Sequence, residues 1–176
     1  RYPVPHRLLV SGLMNYVYEG PFTQFVTLKV PTGLAAGTKL PVAVVMDYLV
    51  CTKEVCVPEQ ATLSTDLTIG NGAIPADRRA LFDGWRRELP RPLGSTASFA
   101  VAEGQFRLSV PFPAGARADE AYFFPLSEGA IDYAAPQTVA RDGDRLLLMT
   151  KAGTGKLSEV AGVLSAGGRG FEVRAV

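Results

Sequence analysis

The chain is poor in the residues that most site chemistry needs: two cysteines, one histidine and one tryptophan in 176 residues. A single imidazole, with no Gly-x-Ser-x-Gly stretch, argues against a Ser-His-Asp hydrolase. Two thiols and one imidazole fall short of the four ligands of a structural zinc site. An excess of one charge is also missing, since 18 Lys and Arg stand against 17 Asp and Glu for a net +1. A general nucleic-acid binder needs a concentrated basic surface to displace phosphate counterions, and the composition offers none. The longest purely apolar run covers 40–46, far short of the ~20 residues of a membrane helix. No charged-then-apolar leader follows Arg1, so the chain reads as a processed or trimmed product.

What the chain does hold is apolar and turn-rich. Hydrophobic residues make up 47%, enough for a packed core. Glycine (18) and proline (13) together supply about one residue in six, which suits many short strands joined by turns. Phe22, Gln24, Val26, Leu28 and Val30 alternate with Thr23, Thr27 and Lys29, predicting a strand that Pro31 stops. Leu63, Thr65, Leu67 and Ile69 alternate with Thr62, Ser64, Asp66 and Thr68, predicting one buried and one wet face. Residues 40–50 are apolar on both faces, the expectation for a strand in the middle of a sandwich. From Pro75 to Leu89 the period changes: Leu81, Phe82, Trp85 and Leu89 fall on a helical stripe between a starting and a stopping proline. Arg78, Arg79, Arg86 and Arg87 fill its other positions as a solvated face, with Asp77, Asp83 and Glu88 as solubilising charges.

After Ser98 seven strands are expected: Phe99/Val101, 106–112, 122–124, 137–141, 145–150, 159–164 and 171–175. Asp142-Gly143 marks a tight hairpin, because such a turn wants positive φ at the glycine. Gly153-Thr-Gly-Lys156 lacks the spacing of a phosphate loop and reads as a hairpin turn. The predicted fold is mainly β, with two immunoglobulin-like β-sandwich modules joined by a short helical connector. The segments are a first module over 1–72, the connector over 73–95 and a second module over 96–176. With four or five strands the first module is thin, and it is expected to lean on the second or to lack upstream strands.

Both cysteines lie in Asp47-Tyr-Leu-Val-Cys-Thr-Lys-Glu-Val-Cys-Val-Pro-Glu59, at a strand end and its turn. Three readings stand open. A structural disulfide is the plainest, although closing a loop of about six residues removes only ~2 kcal/mol of unfolded-state entropy. Two thiolates can also hold Cu(I). The third is a dithiol–disulfide that exchanges electrons, for which a short surface loop keeps both sulfurs together and open to an incoming thiolate. Lys53 favours a thiolate there, whereas Glu54 and Glu59 oppose one. The C-x₄-C spacing is not the C-x-x-C of thioredoxin folds.

The stretch Tyr48-Leu-Val-Cys-Thr-Lys-Glu-Val-Cys-Val-Pro-Glu-Gln-Ala-Thr-Leu-Ser64 resembles the signature of the N-terminal periplasmic domain of DsbD-like thiol:disulfide interchange proteins. Within that family it is similar to the branch called suppressor of copper sensitivity protein B (ScsB). Tyr2-Pro-Val-Pro-His-Arg7, Tyr16-Val-Tyr-Glu-Gly20, Asp119-Glu-Ala-Tyr-Phe-Phe-Pro125 and Ile131-Asp-Tyr-Ala-Ala-Pro-Gln137 also resemble that branch.

The resemblance implies a periplasmic protein-disulfide reductase domain of an inner-membrane protein, with Cys51 and Cys56 as its catalytic pair. It would take two electrons from a membrane-embedded cysteine pair of the same parent protein. It would pass them to a thioredoxin-fold partner, DsbA-like or isomerase-like, with Cys56 the sulfur joined to partners. No metal or organic cofactor is implied, although the branch is linked to copper tolerance and Cu(I) binding stays open. By position Tyr16, Tyr18 and Glu19 would form an aromatic cap over the pair, or else pack on a strand, and Tyr48 would sit beside Cys51 or in the core. The family also has sequence upstream of Arg1, so the first module is expected to be N-terminally incomplete. The alternative from another class is a non-catalytic extracytoplasmic β-sandwich scaffold with a structural disulfide.

Overall fold

Where apolar residues alternate, strands form, but only where a neighbouring ladder accepts their backbone groups. The computed structural model describes all 176 residues. In chain order it holds β1 (His6–Val10), β2 (Leu13–Val17), β3 (Lys39–Cys51), β4 (Cys56–Thr68), α1 (Ala76–Arg87), β5 (Arg91–Pro92) and β6 (Ser98–Ala102). There follow β7 (Gln105–Pro111), β8 (Tyr122–Pro125), β9 (Thr138–Asp142), β10 (Arg145–Lys151), β11 (Val160–Ala166) and β12 (Arg169–Ala175). The molecule is mainly β, an immunoglobulin-like sandwich accompanied by one short helix.

The sandwich faces a sheet of order β6-β7-β10-β9 against one of order β5-β12-β11-β8. Period-2 alternation sends Phe106, Leu108 and Val110 of β7 and Leu146 and Leu148 of β10 inward. There they meet Phe123, Val160, Leu164, Val173 and Ala175 in one buried cluster. Each large apolar side chain buried in this way contributes about 1.5–3 kcal/mol, so the stability of the molecule is concentrated here. All seven strands expected after Ser98 are present. Gly143, the first residue of the β9–β10 turn, has φ +53°. Ser11-Gly12, Glu103-Gly104 and Gly167-Gly168 carry positive φ at both loop positions, the backbone of type I′ hairpin turns. The short β5 runs parallel to β12 inside the segment expected to be only a helical connector.

The first 68 residues behave differently. They form two separate hairpins, β1-β2 and β3-β4, and Val10 is their one buried residue. Three expectations are corrected. Phe22–Val30 is no strand: Phe25 exchanges a pair of backbone hydrogen bonds with Arg1, at 2.7 and 2.9 Å, and no ladder extends from it. Alternation marked two faces for that segment, but flanking prolines and the lack of a partner strand leave it unpaired. Residues 40–50 do form a strand, β3, yet it pairs with β4 alone and has no sandwich around it. For the same reason Leu63 and Leu67 of β4 stay exposed, where a buried face was expected.

The N-terminal segment does lean on the sandwich. Tyr2, Pro3 and Pro5 lie along the outer face of the β12-β11-β8 sheet. Val4 lies so close to Gly170 that a Cβ there would stand 2.4 Å from its Cγ2. Arg1 also pairs with Glu172 at 2.9 Å. Pro75 stands at the N-cap position of α1, and Arg86 and Arg87 occupy its last turn, where they complement the helix dipole. Gly153–Lys156 is not a hairpin turn: it lies on the crossover from β10 to β11 in the opposite sheet. Gly155 N–H donates to the Gly129 carbonyl at 2.9 Å, and a Cβ on Gly153 would stand 2.2 Å from the Gly129 oxygen. Glycine is needed there for close approach of two backbones.

Candidate functional site

Cys51 ends β3 and Cys56 begins β4, and the antiparallel register sets them directly opposite. Thr52 N–H donates to the Val55 carbonyl at 2.8 Å, closing a turn whose two loop residues are Lys53 and Glu54. The next pair outward is therefore a non-hydrogen-bonded one, the kind in which facing Cα atoms come closest. Cys51 and Cys56 are 4.0 Å apart at Cα and are joined by a disulfide. Both are half-buried, while every residue of the turn between them is exposed.

The turn needs no glycine, since neither Lys53 nor Glu54 has positive φ. Thr52 supplies what holds it. Its Oγ1 accepts from the N–H groups of Glu54 and Val55, each at 3.1 Å, a side-chain turn that replaces a backbone one. Sequence reasoning passed over Thr52. The signal was present, because a threonine opening a four-residue loop between two cysteines is placed to bond two and three residues ahead.

Side chains alternate along a strand, so the disulfide shares its face with Leu49 opposite Pro58 and then Asp47 opposite Gln60. Gln60 Nε2 donates to Asp47 Oδ1 at 2.7 Å across that second pair. Tyr48 and Glu59 oppose one another on the other face. Tyr48 is thus not beside Cys51: three residues of separation put the two side chains on opposite faces, and Tyr48 is exposed rather than in a core. Leu49, Val50, Val55 and Val57 surround the tip, and all are exposed, Leu49 at 58%. The disulfide's own face carries exposed Leu49 opposite Pro58, the other face carries Val50 opposite Val57, and the turn adds two opposite charges, Lys53 and Glu54.

The structure keeps the expected aromatic cap away from the disulfide. Tyr16, on β2, stands edge-on to Phe124 at 5.1 Å and to Tyr133 at 6.2 Å between ring centres. Its hydroxyl and that of Tyr122 are buried beside one another, neither with a well-formed partner. Burial first, and the neighbouring Tyr122 second, push the Tyr16 phenol well above the usual tyrosine range. Arg7, opposite Tyr16 in the β1-β2 ladder, lays its guanidinium 4.4 Å over the Tyr122 ring. Tyr18 stacks on Phe22 at 4.3 Å and donates to the Pro3 carbonyl at 3.0 Å. Burial, with the Tyr2 ring next, raises its phenol too. Glu19 is exposed. These residues pack on strands and on the outer face of the sandwich because β8 presents Tyr122 and Phe124 outward, an aromatic surface that needs a cover. Of the expected site residues, the fold brings together Cys51, Cys56, Lys53 and Glu54.

Residues 1–68 match the family model described as thiol:disulfide interchange protein DsbD, N-terminal. No curated protein and no solved structure matches the chain. The DsbD-like region ends at Thr68, the last residue of β4, so it contains both hairpins and the disulfide and leaves α1 and the sandwich outside. Similarity and bonded cysteines together support a thiol:disulfide exchange domain in that region. No helix of the structure is long and apolar enough to cross a membrane.

Proposed function

We propose that residues 1–72 form a periplasmic thiol:disulfide exchange module, of the branch named suppressor of copper sensitivity protein B, which relays electrons from a membrane-embedded cysteine pair to a thioredoxin-fold partner. The observation that carries this reading is the position of the disulfide. It joins neighbours in one ladder at an accessible turn, and so ties together nothing that β3-β4 pairing does not already hold.

In the reduced module, one cysteine as thiolate attacks the disulfide of an oxidised partner. A mixed disulfide forms and the partner's second sulfur leaves as thiolate, which takes up a proton. The other cysteine then attacks its neighbour's sulfur, breaks the mixed disulfide and releases the partner as a dithiol. The Cys51–Cys56 bond re-forms, two electrons having moved to the partner. The membrane-embedded dithiol reverses these steps on the module and is itself oxidised. Cys56 is the sulfur assigned to the partner. Exposed Leu49 on the disulfide's face, with exposed Val50, Val55 and Val57 elsewhere at the hairpin end, supports docking of another protein at the tip. No metal or organic cofactor enters this scheme.

Equilibration in glutathione buffers tests it. An exchanging pair reads well above the ~−300 mV below which structural disulfides usually lie. A Cys51→Ala variant, with Cys56 left free, should trap a mixed disulfide with an oxidised thioredoxin-fold protein. A potential below that threshold, with no trapped species from either single-cysteine variant, would return the disulfide to a structural role in a non-catalytic scaffold.

A further inference from the structure

A second cleft lies away from the disulfide, where three chain segments meet. Pro3 and Val4 form one wall, Arg87 and Glu88 at the end of α1 with Arg91 of β5 form another, and the β11–β12 turn at Gly168–Gly170 closes it. Its volume is about 500 Å³, and its lining is mostly polar. Three arginines, Arg87, Arg91 and Arg169, border it with one carboxylate, Glu88.

None of the three arginines is in an ion pair. The ion pairs of the molecule use Arg1, Arg86, Arg117, Lys151 and Arg174 instead. Arg87 runs back along its helix, its Nη2 3.8 Å from where a Cβ on Gly84 would stand, and it is exposed. Three arginines border the cleft against the single carboxylate Glu88, so positive charge outnumbers negative there. The overall charge is only +1, so no diffuse field accounts for a local excess of positive charge. Guanidinium groups present planar forks of N–H donors that match the paired oxygens of carboxylate and phosphate, and three such forks suit the three free oxygens of a phosphate ester better than the two of a carboxylate. The cleft is also larger than a bare tetrahedral anion needs, which leaves room for the group the phosphate is esterified to.

We propose that this cleft is a phosphate-binding site, taking a phosphate ester through Arg87, Arg91 and Arg169. The same chemistry is offered by a soluble phosphate ester and by the headgroup of an anionic phospholipid. Neither source depends on the redox reading of the hairpin, from which the cleft is separate.

The full chain would be titrated calorimetrically with inorganic phosphate at low ionic strength. In parallel it would be co-sedimented with vesicles of phosphatidylglycerol and of phosphatidylcholine. The variant Arg87→Gln/Arg91→Gln/Arg169→Gln removes the site, and Arg78→Gln/Arg79→Gln removes two exposed arginines of the same helix that do not line the cleft. Saturable binding of phosphate, or of phosphatidylglycerol vesicles alone, is expected. It should weaken at least about tenfold in the triple variant and stay within about twofold in the control. Phosphate binding assigns the site to soluble esters, and binding to phosphatidylglycerol alone assigns it to a membrane surface. All five side chains are exposed, so both variants should keep their circular dichroism. If the triple variant does not, Arg169→Gln alone should show a smaller loss in the same direction. No saturable binding of either probe, or equal weakening in the triple variant and the control, overturns the proposal.

Discussion

Thr52 shows how little is needed to hold two sulfurs together. In the oxidised protein the disulfide already closes the turn, whereas in the reduced protein the turn depends on the ladder and on the two hydrogen bonds that Thr52 Oγ1 accepts. Removing the hydroxyl therefore costs the reduced form more than the oxidised form. At about 1 kcal/mol for such bonds, Thr52→Ala should lower the reduction potential by up to about 20 mV. Paired glutathione titrations of the two proteins measure this, and identical potentials would mean that Thr52 serves both states equally. The residue was readable in the sequence, since a hydroxyl at that place in a C-x₄-C loop has one local use. The faces of Tyr48 and Cys51 were readable as well, because they follow from counting. The placement of Tyr16 was not: a tyrosine on a strand covers whatever surface the fold brings to it, and that surface is Phe124, more than 100 residues away.

Among the elements, β3-β4 and the sandwich stand at opposite ends of a stability scale. Each strand of the hairpin has 13 residues, but it has no third strand beside it, and an isolated two-stranded sheet is marginal in water. Strands β7, β10, β11 and β12 bury one face in a common core. Amide hydrogen exchange should accordingly be fast throughout β3 and β4 and slowest in β7, β10 and β11, where opening requires loss of the core. Equal protection in the hairpin would show that it is covered in solution. A loosely held hairpin also suits the proposed exchange, in which the sulfurs are presented to another protein. Alternation gave away the sandwich strands because each has one dry and one wet face. It misled at Phe22–Val30 and at Leu63–Ile69, where the same alternation has no apolar layer to face. Two-residue turns at Ser11-Gly12 and Gly167-Gly168 lay in plain view in the sequence, yet β1-β2 was not read from the first of them.

At the scale of the whole molecule, the N-terminal hairpin is held to the sandwich by aromatic contacts more than by backbone pairing. Tyr16 and Tyr122 meet with both hydroxyls buried, and Arg7 covers the second ring. The Tyr16 phenol is raised in the folded state, so the folded protein binds more protons than the unfolded one above the ordinary tyrosine value near 10. Its contribution is complete below that pH and is lost as pH rises beyond it. Thermal unfolding followed from pH 8 to 11 should show stability falling from about pH 10, and Tyr16→Phe should flatten that fall. An unchanged alkaline limb in the variant would mean that other groups carry it.

The sequence by itself determined the β class, the positions of the sandwich strands, the helix and its ends, and the local pairing of Cys51 with Cys56. All of these depend on residues a few places apart: alternation, a proline before a helix, a short loop between two strands. Only the tertiary structure decided which apolar faces found a cover, that Tyr16 and Tyr18 pack away from the disulfide, and that Arg87, Arg91 and Arg169 border one cleft. Burial and charge convergence are properties of surfaces assembled from distant segments, and no local pattern in the chain records which segments will meet.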